Sequence, residues 1–270
     1  MKVLIIGSSG FVGSYLYSFF SSIDADVFSC SRKGCDYNVD FCNPVVYGDV
    51  FGSVRFDLVI CCINSYSTDM LTSIQSNVLA VQNVLECFSN EESHLVIVSS
   101  ISALPENANN TAYNTSKRMA ECIIEYHQKR DKHQITTIRF SQLFDIEGRA
   151  RGSQAGLYYY VDMINARKPI NYYAKNDTKR SFFPVYRIGD IVMLVYNKHI
   201  TGFHNIILND SFTNGELLDL LTSNCDYDKS LICRNNDKEA ISYHIPSPSD
   251  KFDEIIMGIN VKNELKKLIN

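Results

Sequence analysis

Short apolar runs and longer amphipathic stretches alternate along the first half of the chain. The apolar runs predict buried parallel strands, and the stretches with apolar residues every three or four positions predict helices. The predicted strands are Lys2 to Ile6, Ala25 to Ser29, Asp57 to Cys62, His94 to Val98 and Gln134 to Phe140. The predicted helices are Phe11 to Phe20, Thr68 to Phe88 and Ala112 to Gln128. This alternation indicates βαβ units and an α/β fold with a doubly wound parallel sheet.

Shorter pieces that are rich in Tyr and Asn replace this rhythm after about residue 141. The predicted helices are Leu157 to Ala166, Ile188 to Asn197, Asn214 to Thr222 and Asn260 to Ile269. The predicted strands are Ile170 to Tyr173, Arg180 to Phe183 and Phe203 to Leu208. We therefore expect one domain of residues 1–145 with part of 185–210, and a smaller C-terminal α/β annex made mainly of residues 146–270. The annex is expected to bind substrate at the carboxyl ends of the strands, where ligands bind in such folds.

The composition narrows the class of protein. A formal net charge of -4 and a pI near 5.9 leave no basic surplus for a nucleic-acid backbone, so no nucleic-acid partner is expected. No apolar stretch approaches the roughly 18 residues of a membrane span, and the start does not resemble an export signal. We therefore expect a soluble cytoplasmic protein without membrane insertion. Its 9 Cys residues should be reduced, and their spacings do not resemble a metal site.

Three glycines at intervals of three directly follow the first predicted strand. Gly7 allows a tight turn, Gly10 lets backbone N–H groups approach a pyrophosphate, and Gly13 lets the helix pack on its strand. The position between strand and helix indicates a Rossmann-type coenzyme site rather than an ordinary turn. The residues expected to hold the pyrophosphate are Gly7, Ser9, Gly10, Phe11, Val12 and Gly13.

The end of the second strand indicates which coenzyme is bound. An NAD site usually has an acidic residue there for the ribose hydroxyls, whereas a 2′-phosphate calls for arginine. This chain has Ser31, Arg32 and Lys33, without a carboxylate. Arg32 can grip the phosphate and stack on adenine, and the other two residues add a donor and a charge. The sequence therefore predicts NADP(H), with two solvated loop cations as the alternative.

The stretch from Tyr113 to Lys117 offers a proton and the means to move it. Four residues apart on a helix, the two side chains share one face, so the ammonium should favour the phenolate and lower the tyrosine pKa from about 10. Ser100 ends a buried strand at the ligand crevice, where its hydroxyl can hydrogen-bond a substrate carbonyl. The three residues together predict acid catalysis at a carbonyl group.

This set of motifs resembles the short-chain dehydrogenase/reductase superfamily from Met1 to about residue 220, and its glycine spacing resembles the extended, nucleotide-sugar branch. Other similar features are Asp40-Phe41, Asp57-Leu58-Val59-Ile60, Asn77-Val78, Arg139 and Arg180-Ser181-Phe182. The branch includes reductases, epimerases and dehydratases that act on nucleotide-linked sugars. Subunit pairing through the two long helices, and hence a homodimer, is expected from this resemblance.

The resemblance implies roles for individual residues. Tyr113 would donate a proton to the carbonyl oxygen, Ser100 would stabilise the alkoxide and Lys117 would hold the nicotinamide ribose. Asn77 would help to relay protons, although a buried amide bonded to backbone is an equal alternative. Further coenzyme contacts are implied for Asp40, Phe41, Cys61 and Cys62, and substrate contacts for Ser102, Gln142 and Arg180, of which the arginine would bind a diphosphate.

Departures from the branch narrow the reaction. Ile101 and Ser102 stand where dehydratases carry an Asp-Glu pair, so the carboxylates for eliminating water are absent. The expected activity is NADPH-dependent reduction of a nucleotide-linked 4-keto-6-deoxy sugar, as in the synthesis of deoxysugars for surface polysaccharides. The alternatives are a nucleotide-sugar epimerase and a protein that senses NADP without turnover.

Overall fold

The computed structural model describes residues 1–107, 111–130, 134–239 and 243–269. The strands are β1 (Lys2–Ile6), β2 (Asp26–Ser31), β3 (Tyr37–Asn38), β4 (Leu58–Cys61), β5 (His94–Ser100), β6 (Ile135–Phe140), β7 (Gln142–Phe144), β8 (Ile170–Lys175), β9 (Phe182–Pro184), β10 (Gly202–Ile206) and β11 (Ile232–Glu239). The α-helices are α1 (Phe11–Ser21), α2 (Tyr47–Phe51), α3 (Met70–Ser73), α4 (Ala80–Cys87), α5 (Ala112–Arg130), α6 (Ala155–Asn165), α7 (Ile188–Asn197), α8 (Asn214–Leu221), α9 (Asp253–Ile256) and α10 (Val261–Lys266).

The chain divides into two units. Unit 1 comprises Met1–Arg139 and Tyr186–Asn205, and unit 2 comprises Phe140–Val185 and Ile206–Asn270. None of the helices in the described ranges combines the length and the apolar character that a bilayer crossing requires.

A seven-stranded sheet forms the centre of the Rossmann-type fold, in the order β10-β6-β5-β4-β1-β2-β3. The strand pairs from β3 to β5 are parallel, and Ile6 lies opposite both Cys30 and Cys61. Strands buried on both faces need apolar residues at every position, which is why β1 and β4 read as unbroken apolar runs. The strand order reverses between β1 and β4, and the carboxyl ends of these two strands therefore flank the ligand crevice of such a sheet. The predicted fold class is confirmed.

Helices pack on this sheet with their apolar faces. The predicted helix from Thr68 to Phe88 is present, but a π-helical segment, Ile74–Leu79, separates α3 from α4. A π turn adds one residue to the helical register and is common at functional sites. Asn77 lies in this π-helical segment and is completely buried.

Unit 2 contains two small parallel sheets, β8 with β11 and β7 with β9. Helices α6 and α8 pack on β8, and α10 packs on β9 and α8. Its core is aromatic and aliphatic, with Phe144, Phe182, Phe183, Leu217 and Leu265 almost completely buried. Helix α8 begins with a capping box in which Thr213 and Glu216 satisfy each other's backbone N–H groups.

Candidate functional site

The glycine turn between β1 and α1 has the geometry of a phosphate cradle. Gly7 has φ 85°, and its N–H donates to Cys30 O at 2.8 Å. A Cβ at Gly13 would collide with the carbonyl group of Gly7, so only glycine permits this close approach. Helix α1 begins after Gly10 without a side-chain cap, which leaves N–H groups of its first turn for an anion. Ser9, Phe11 and Val12 complete the predicted turn. The turn fits the pyrophosphate of a dinucleotide.

A hydroxyl from the end of β2 lies against this turn. Ser31 Oγ accepts hydrogen bonds from Ser9 N at 3.2 Å and Ser9 Oγ at 3.0 Å. Arg32 and Lys33 follow and are exposed, and the described residues give them no ion-pair partner. The next acidic residue, Asp36, accepts from the N–H and hydroxyl of Ser29, which lower the pKa of its carboxyl. The end of β2 thus presents hydroxyl and cationic groups.

The other predicted coenzyme residues are divided between core and surface. Phe41 belongs to the hydrophobic core, and its carbonyl accepts from Asn83 Nδ2 at 2.8 Å. Asp40 accepts from the backbone N–H of Cys42. Cys61 is buried in the core. The backbone of Cys62 borders the turn at Gly7, since a Cβ added to Gly7 would lie 3.1 Å from Cys62 C.

Tyr113 meets three side chains at its hydroxyl group. Burial, the charge of Tyr66 and a hydrogen bond with Tyr66 raise the pKa of Tyr113 well above 10. Hydrogen bonds with Ser100 and Asn64 act in the opposite direction and are outweighed. The predicted contact between Ser100 and the tyrosine is present. The prediction of a lowered tyrosine pKa is wrong for this structure, because desolvation of the phenolate dominates.

Lys117 is buried on the same helix as Tyr113. Its Nζ donates to Val98 O at 3.3 Å. Burial lowers the pKa of Lys117, and the thiols of Cys61 and Cys62 with the carboxylate of Glu121 act in the opposite direction.

Asn77 joins a loop to helix α5 through hydrogen bonds. Its Oδ1 accepts from Ser65 N at 2.7 Å, and its Nδ2 donates to Ser65 O and to Ser116 Oγ, both at 2.9 Å. Ser116 Oγ in turn donates to Tyr113 O at 2.9 Å. Both N–H groups of the amide are therefore used. This geometry favours the alternative in which Asn77 is a buried positioning residue.

Three neighbours of the predicted site residues, Tyr66, Asn64 and Glu121, were missed by the sequence reasoning. Tyr66 stacks on Tyr113 with ring centroids 4.6 Å apart and planes 27° apart. Asn64 shares its loop. Glu121 accepts from Ser99 Oγ at 2.6 Å and forms a bidentate pair with Arg139 at 2.7–3.0 Å. Glu121 follows Lys117 by four positions, and that spacing was the available signal. The loop residues have no periodic signal.

Unit 2 holds a cavity of about 900 Å³ lined by many tyrosines. Gln142 and Arg180 both line it, whereas Ser102 is buried in unit 1 beside Ser100. The buried Oε1 of Gln142 has no hydrogen-bond partner among the described residues, so it is an acceptor for a ligand donor. The aromatic lining consists of Tyr159, Tyr160, Tyr172, Tyr173, Tyr243 and Phe182.

Among the residues that the structure describes, two cations and no carboxylate line this cavity. Arg180 forms a largely buried ion pair with Asp177 at 3.1 Å and also donates to Thr178 O at 3.2 Å. Lys238 on β11 lies over the ring of Tyr173 at 5.2 Å, and the described residues give it no ion pair. Sequence reasoning missed Lys238, because the strand that carries it is polar. The cavity is suited to an anionic ligand with an aromatic or apolar part.

No three metal-ligating side chains gather anywhere in the described ranges. The nine cysteines are free thiols there.

The comparisons with known proteins agree with this arrangement. Residues 3–209 match the model of the NAD dependent epimerase/dehydratase family. No curated protein matches the sequence significantly. Among solved structures, UDP-N-acetylglucosamine 4-epimerase from Bacillus cereus has a TM-score of 0.80 at 16% identity, covering 99% of this chain and 98% of that one.

Two further structures bear on the coenzyme. RMD from Pseudomonas aeruginosa, complexed with NADPH, has a TM-score of 0.77 at 16% identity and covers 99% of this chain and 96% of its own. UDP-glucuronic acid 4-epimerase from Bacillus cereus, in complex with NAD, has a TM-score of 0.73 at 15% identity, covering 99% and 97%. With the family match over residues 3–209, the chain belongs to the NAD dependent epimerase/dehydratase family and is an NAD(P)-dependent enzyme of the extended short-chain dehydrogenase/reductase superfamily.

Proposed function

We propose that this protein is an NADPH-dependent reductase of the keto group of a nucleotide-linked 4-keto-6-deoxy sugar. The observation that carries the proposal is the end of β2. Ser31 hydrogen-bonds the glycine turn, Arg32 and Lys33 follow with no ion pair among the described residues, and Asp36 is bonded to Ser29. Such a surface favours a 2′-phosphate over free ribose hydroxyls. A coenzyme held this way exchanges with the pool and can supply a hydride in each turnover.

The state of Tyr113 supports reduction. A phenol whose pKa lies well above 10 keeps its proton near neutrality and can donate it to a carbonyl oxygen. Ser100 can then hydrogen-bond the alkoxide that develops as the coenzyme supplies hydride. An epimerase would first need the phenolate, to remove a proton from a sugar hydroxyl. The missing carboxylates at Ile101 and Ser102 argue against elimination of water.

The cavity of unit 2 supports a nucleotide-linked substrate. Tyrosine rings offer stacking surfaces for a base, and the two lining cations offer charge to a diphosphate. Gln142 offers its unpaired acceptor oxygen to a hydroxyl or N–H of the ligand. We assign Arg180 and Lys238 to the diphosphate in this proposal.

A nucleotide-sugar epimerase is the second candidate, because epimerases of this fold resemble the chain over almost its whole length. The test is NADPH oxidation with TDP-, GDP-, UDP- and CDP-linked 4-keto-6-deoxy sugars, together with analysis of the coenzyme that co-purifies. The proposal predicts exchangeable NADP(H), net NADPH oxidation and a kcat/KM for NADPH at least about tenfold above that for NADH. Tightly bound NAD and sugar interconversion without NADPH consumption would establish the epimerase.

A further inference from the structure

The loop that carries Arg32 and Lys33 turns back sharply between two strands. Residues 32–36 connect β2 to β3, and these two strands run parallel. The chain must therefore leave the sheet and return to it within this short connection, and Gly34, with φ 70°, provides a left-handed turn. Arg32, Lys33 and Gly34 are all exposed. A loop of this kind has many conformations unless other groups fix it, and ordering it upon ligand binding costs free energy.

Asn38 closes this loop from the sheet. Its Oδ1 accepts from Cys35 N at 3.2 Å, and its Nδ2 donates to Cys35 O at 3.3 Å. One side chain thus satisfies both backbone polar groups of Cys35. Asn38 itself is fixed on β3, because it lies opposite Ser31 and the next residue, Val39, donates its N–H to Ser31 O at 2.9 Å. The middle of the loop is therefore tied to the end of β2.

Cys35 connects this restraint with the cations and with the glycine turn. Its thiol donates to Lys33 O at 3.7 Å and lies 3.4 Å from Ser8 Oγ. Ser8 belongs to the glycine turn, and its hydroxyl lies 3.4 Å from Ser31 Oγ. The contacts that begin at Asn38 thus end at the backbone of a cation and at the turn that faces the coenzyme.

We propose that Asn38 is a positioning residue that sets the preference for NADP(H) over NAD(H). It holds the backbone of Arg32 and Lys33 in place before the 2′-phosphate arrives. A cation held in advance loses less conformational freedom upon binding, so its charge-assisted hydrogen bond contributes more to affinity. A coenzyme without the 2′-phosphate makes no such bond and gains nothing from the restraint. This inference rests on the proposed function, which assigns the 2′-phosphate to the end of β2.

The test is Asn38→Ala, which removes both hydrogen bonds to Cys35. The side chain is exposed, so the fold should be unchanged. Fluorescence titration should show that the Kd for NADPH rises about fivefold while the Kd for NADH stays within about twofold. In the Arg32→Ala/Lys33→Ala background the same substitution should leave the Kd for NADPH within about twofold, because no charge is left to position. Asn197→Ala, at an exposed asparagine that ends α7, should change neither Kd.

The outcomes separate the positioning role from the reaction. Equal losses of affinity for NADPH and NADH would mean that Asn38 supports the coenzyme site as a whole, and an unchanged Kd for NADPH would mean that the loop needs no such restraint. A loss that persists in the Arg32→Ala/Lys33→Ala background would mean that Asn38 acts through other groups. Each of these results overturns the positioning role while the NADPH-dependent reductase stands. A wild-type protein that binds NADH as tightly as NADPH overturns the coenzyme preference of the proposed function, and the positioning role with it.

Discussion

The Tyr113 phenol keeps its proton across the neutral range, because burial and Tyr66 raise its pKa well above 10. Replacement by phenylalanine preserves the ring and removes the acid, so Tyr113→Phe should lower kcat at least about 100-fold. The dissociation constant for NADPH should stay within about twofold of wild type. Steady-state kinetics and fluorescence titration measure the two quantities. Retention of more than about a tenth of the wild-type kcat would contradict the assignment of the acid.

The raised pKa also fixes the direction of the pH dependence. The donating form of Tyr113 exists below its pKa, so kcat/KM for reduction should stay level from about pH 6 to 9 and fall only above about pH 10. A lysine-lowered pKa would instead make kcat/KM fall near neutrality. A decline in kcat/KM that begins at about pH 7 would contradict the raised pKa. It would support the expectation from the sequence that Lys117 lowers the pKa of Tyr113.

Two described cations line the unit 2 cavity, Arg180 and Lys238. Of the two, Lys238 has no carboxylate beside it among the described residues. We expect Lys238→Ala to weaken the binding of UDP or dTDP about tenfold or more, since charge-assisted hydrogen bonds contribute roughly 1.5–3 kcal/mol. Lys175→Ala is the matched control on β8, because that ammonium pairs with Glu239 and does not line the cavity. Calorimetry measures the affinity of each variant for UDP, dTDP and uridine. An equal loss for uridine, which lacks phosphate, would contradict the phosphate role.

At the residue scale, sequence reasoning succeeded where chemistry follows from chain position. The glycine turn and the contact between Ser100 and Tyr113 both follow from strand ends and helix starts. The hydrogen bond of Lys117 could not be predicted, because the carbonyl group of Val98 that accepts it comes from another element. The contact of Tyr66 with Tyr113 could not be predicted either, since only the tertiary fold brings its loop to helix α5.

At the element scale, the turn between β1 and α1 requires glycine at position 13. An added methyl group would push against the backbone of Gly7 and Ser8, which cannot yield as a flexible side chain would. Gly13→Ala should weaken NADPH binding at least about tenfold and lower the free energy of unfolding by about 1–3 kcal/mol. Gly48→Ala on α2 is the control, because open space surrounds that position. Equal NADPH affinity in both variants would show that the turn does not hold the coenzyme.

The start of β5 carries a buried histidine that makes the sheet sensitive to acid. Thr136 Oγ1 donates to Ile200 O, so His94 Nε2 must donate to Thr136 at 2.7 Å, and His94 Nδ1 is left bare and buried. Burial and the charge of His199 lower the pKa of His94 from 6.5 to about 4. Between pH 6.5 and about pH 4, His94 is protonated in the unfolded chain and neutral in the folded protein. The free energy of unfolding therefore falls as the pH is lowered through this range, and the loss is complete below about pH 4.

This difference is large enough to measure. From pH 7.5 to 5 the wild-type protein should lose about 2 kcal/mol more unfolding free energy than His94→Gln, which cannot titrate. Urea unfolding at the two pH values gives the comparison. Equal losses in the two proteins would show that the imidazole is already protonated in the folded state.

The elements themselves were predicted to different degrees. Buried strands such as β1 and β4 could be predicted directly from their apolar runs, and α7 has the bounds that were predicted for it. The strand β11 was missed because it is polar and largely exposed, and β8 is its one partner strand in the described part of the chain. The π segment was missed because one extra residue in a helix leaves no periodic trace.

At the scale of the whole molecule, the family match covers residues 3–209, while the coenzyme turn lies in unit 1 and the tyrosine-lined cavity in unit 2. The division of labour between the units is our proposal: unit 1 holds NADPH and the acid, and unit 2 holds the nucleotide. Sequence reasoning recovered the fold class and the superfamily, because both follow from strand and helix order with a few fixed motifs. It could not recover the cavity of unit 2, whose lining comes from separate short elements.

The most direct test of the central claim follows the hydride. The protein is incubated with NADPH deuterated at C4 of the nicotinamide and with a nucleotide-linked 4-keto-6-deoxy sugar, and the product is examined by NMR. The account predicts one deuterium at C4 of the sugar for each NADP⁺ formed. A product that carries no deuterium, or sugar interconversion without formation of NADP⁺, would contradict it.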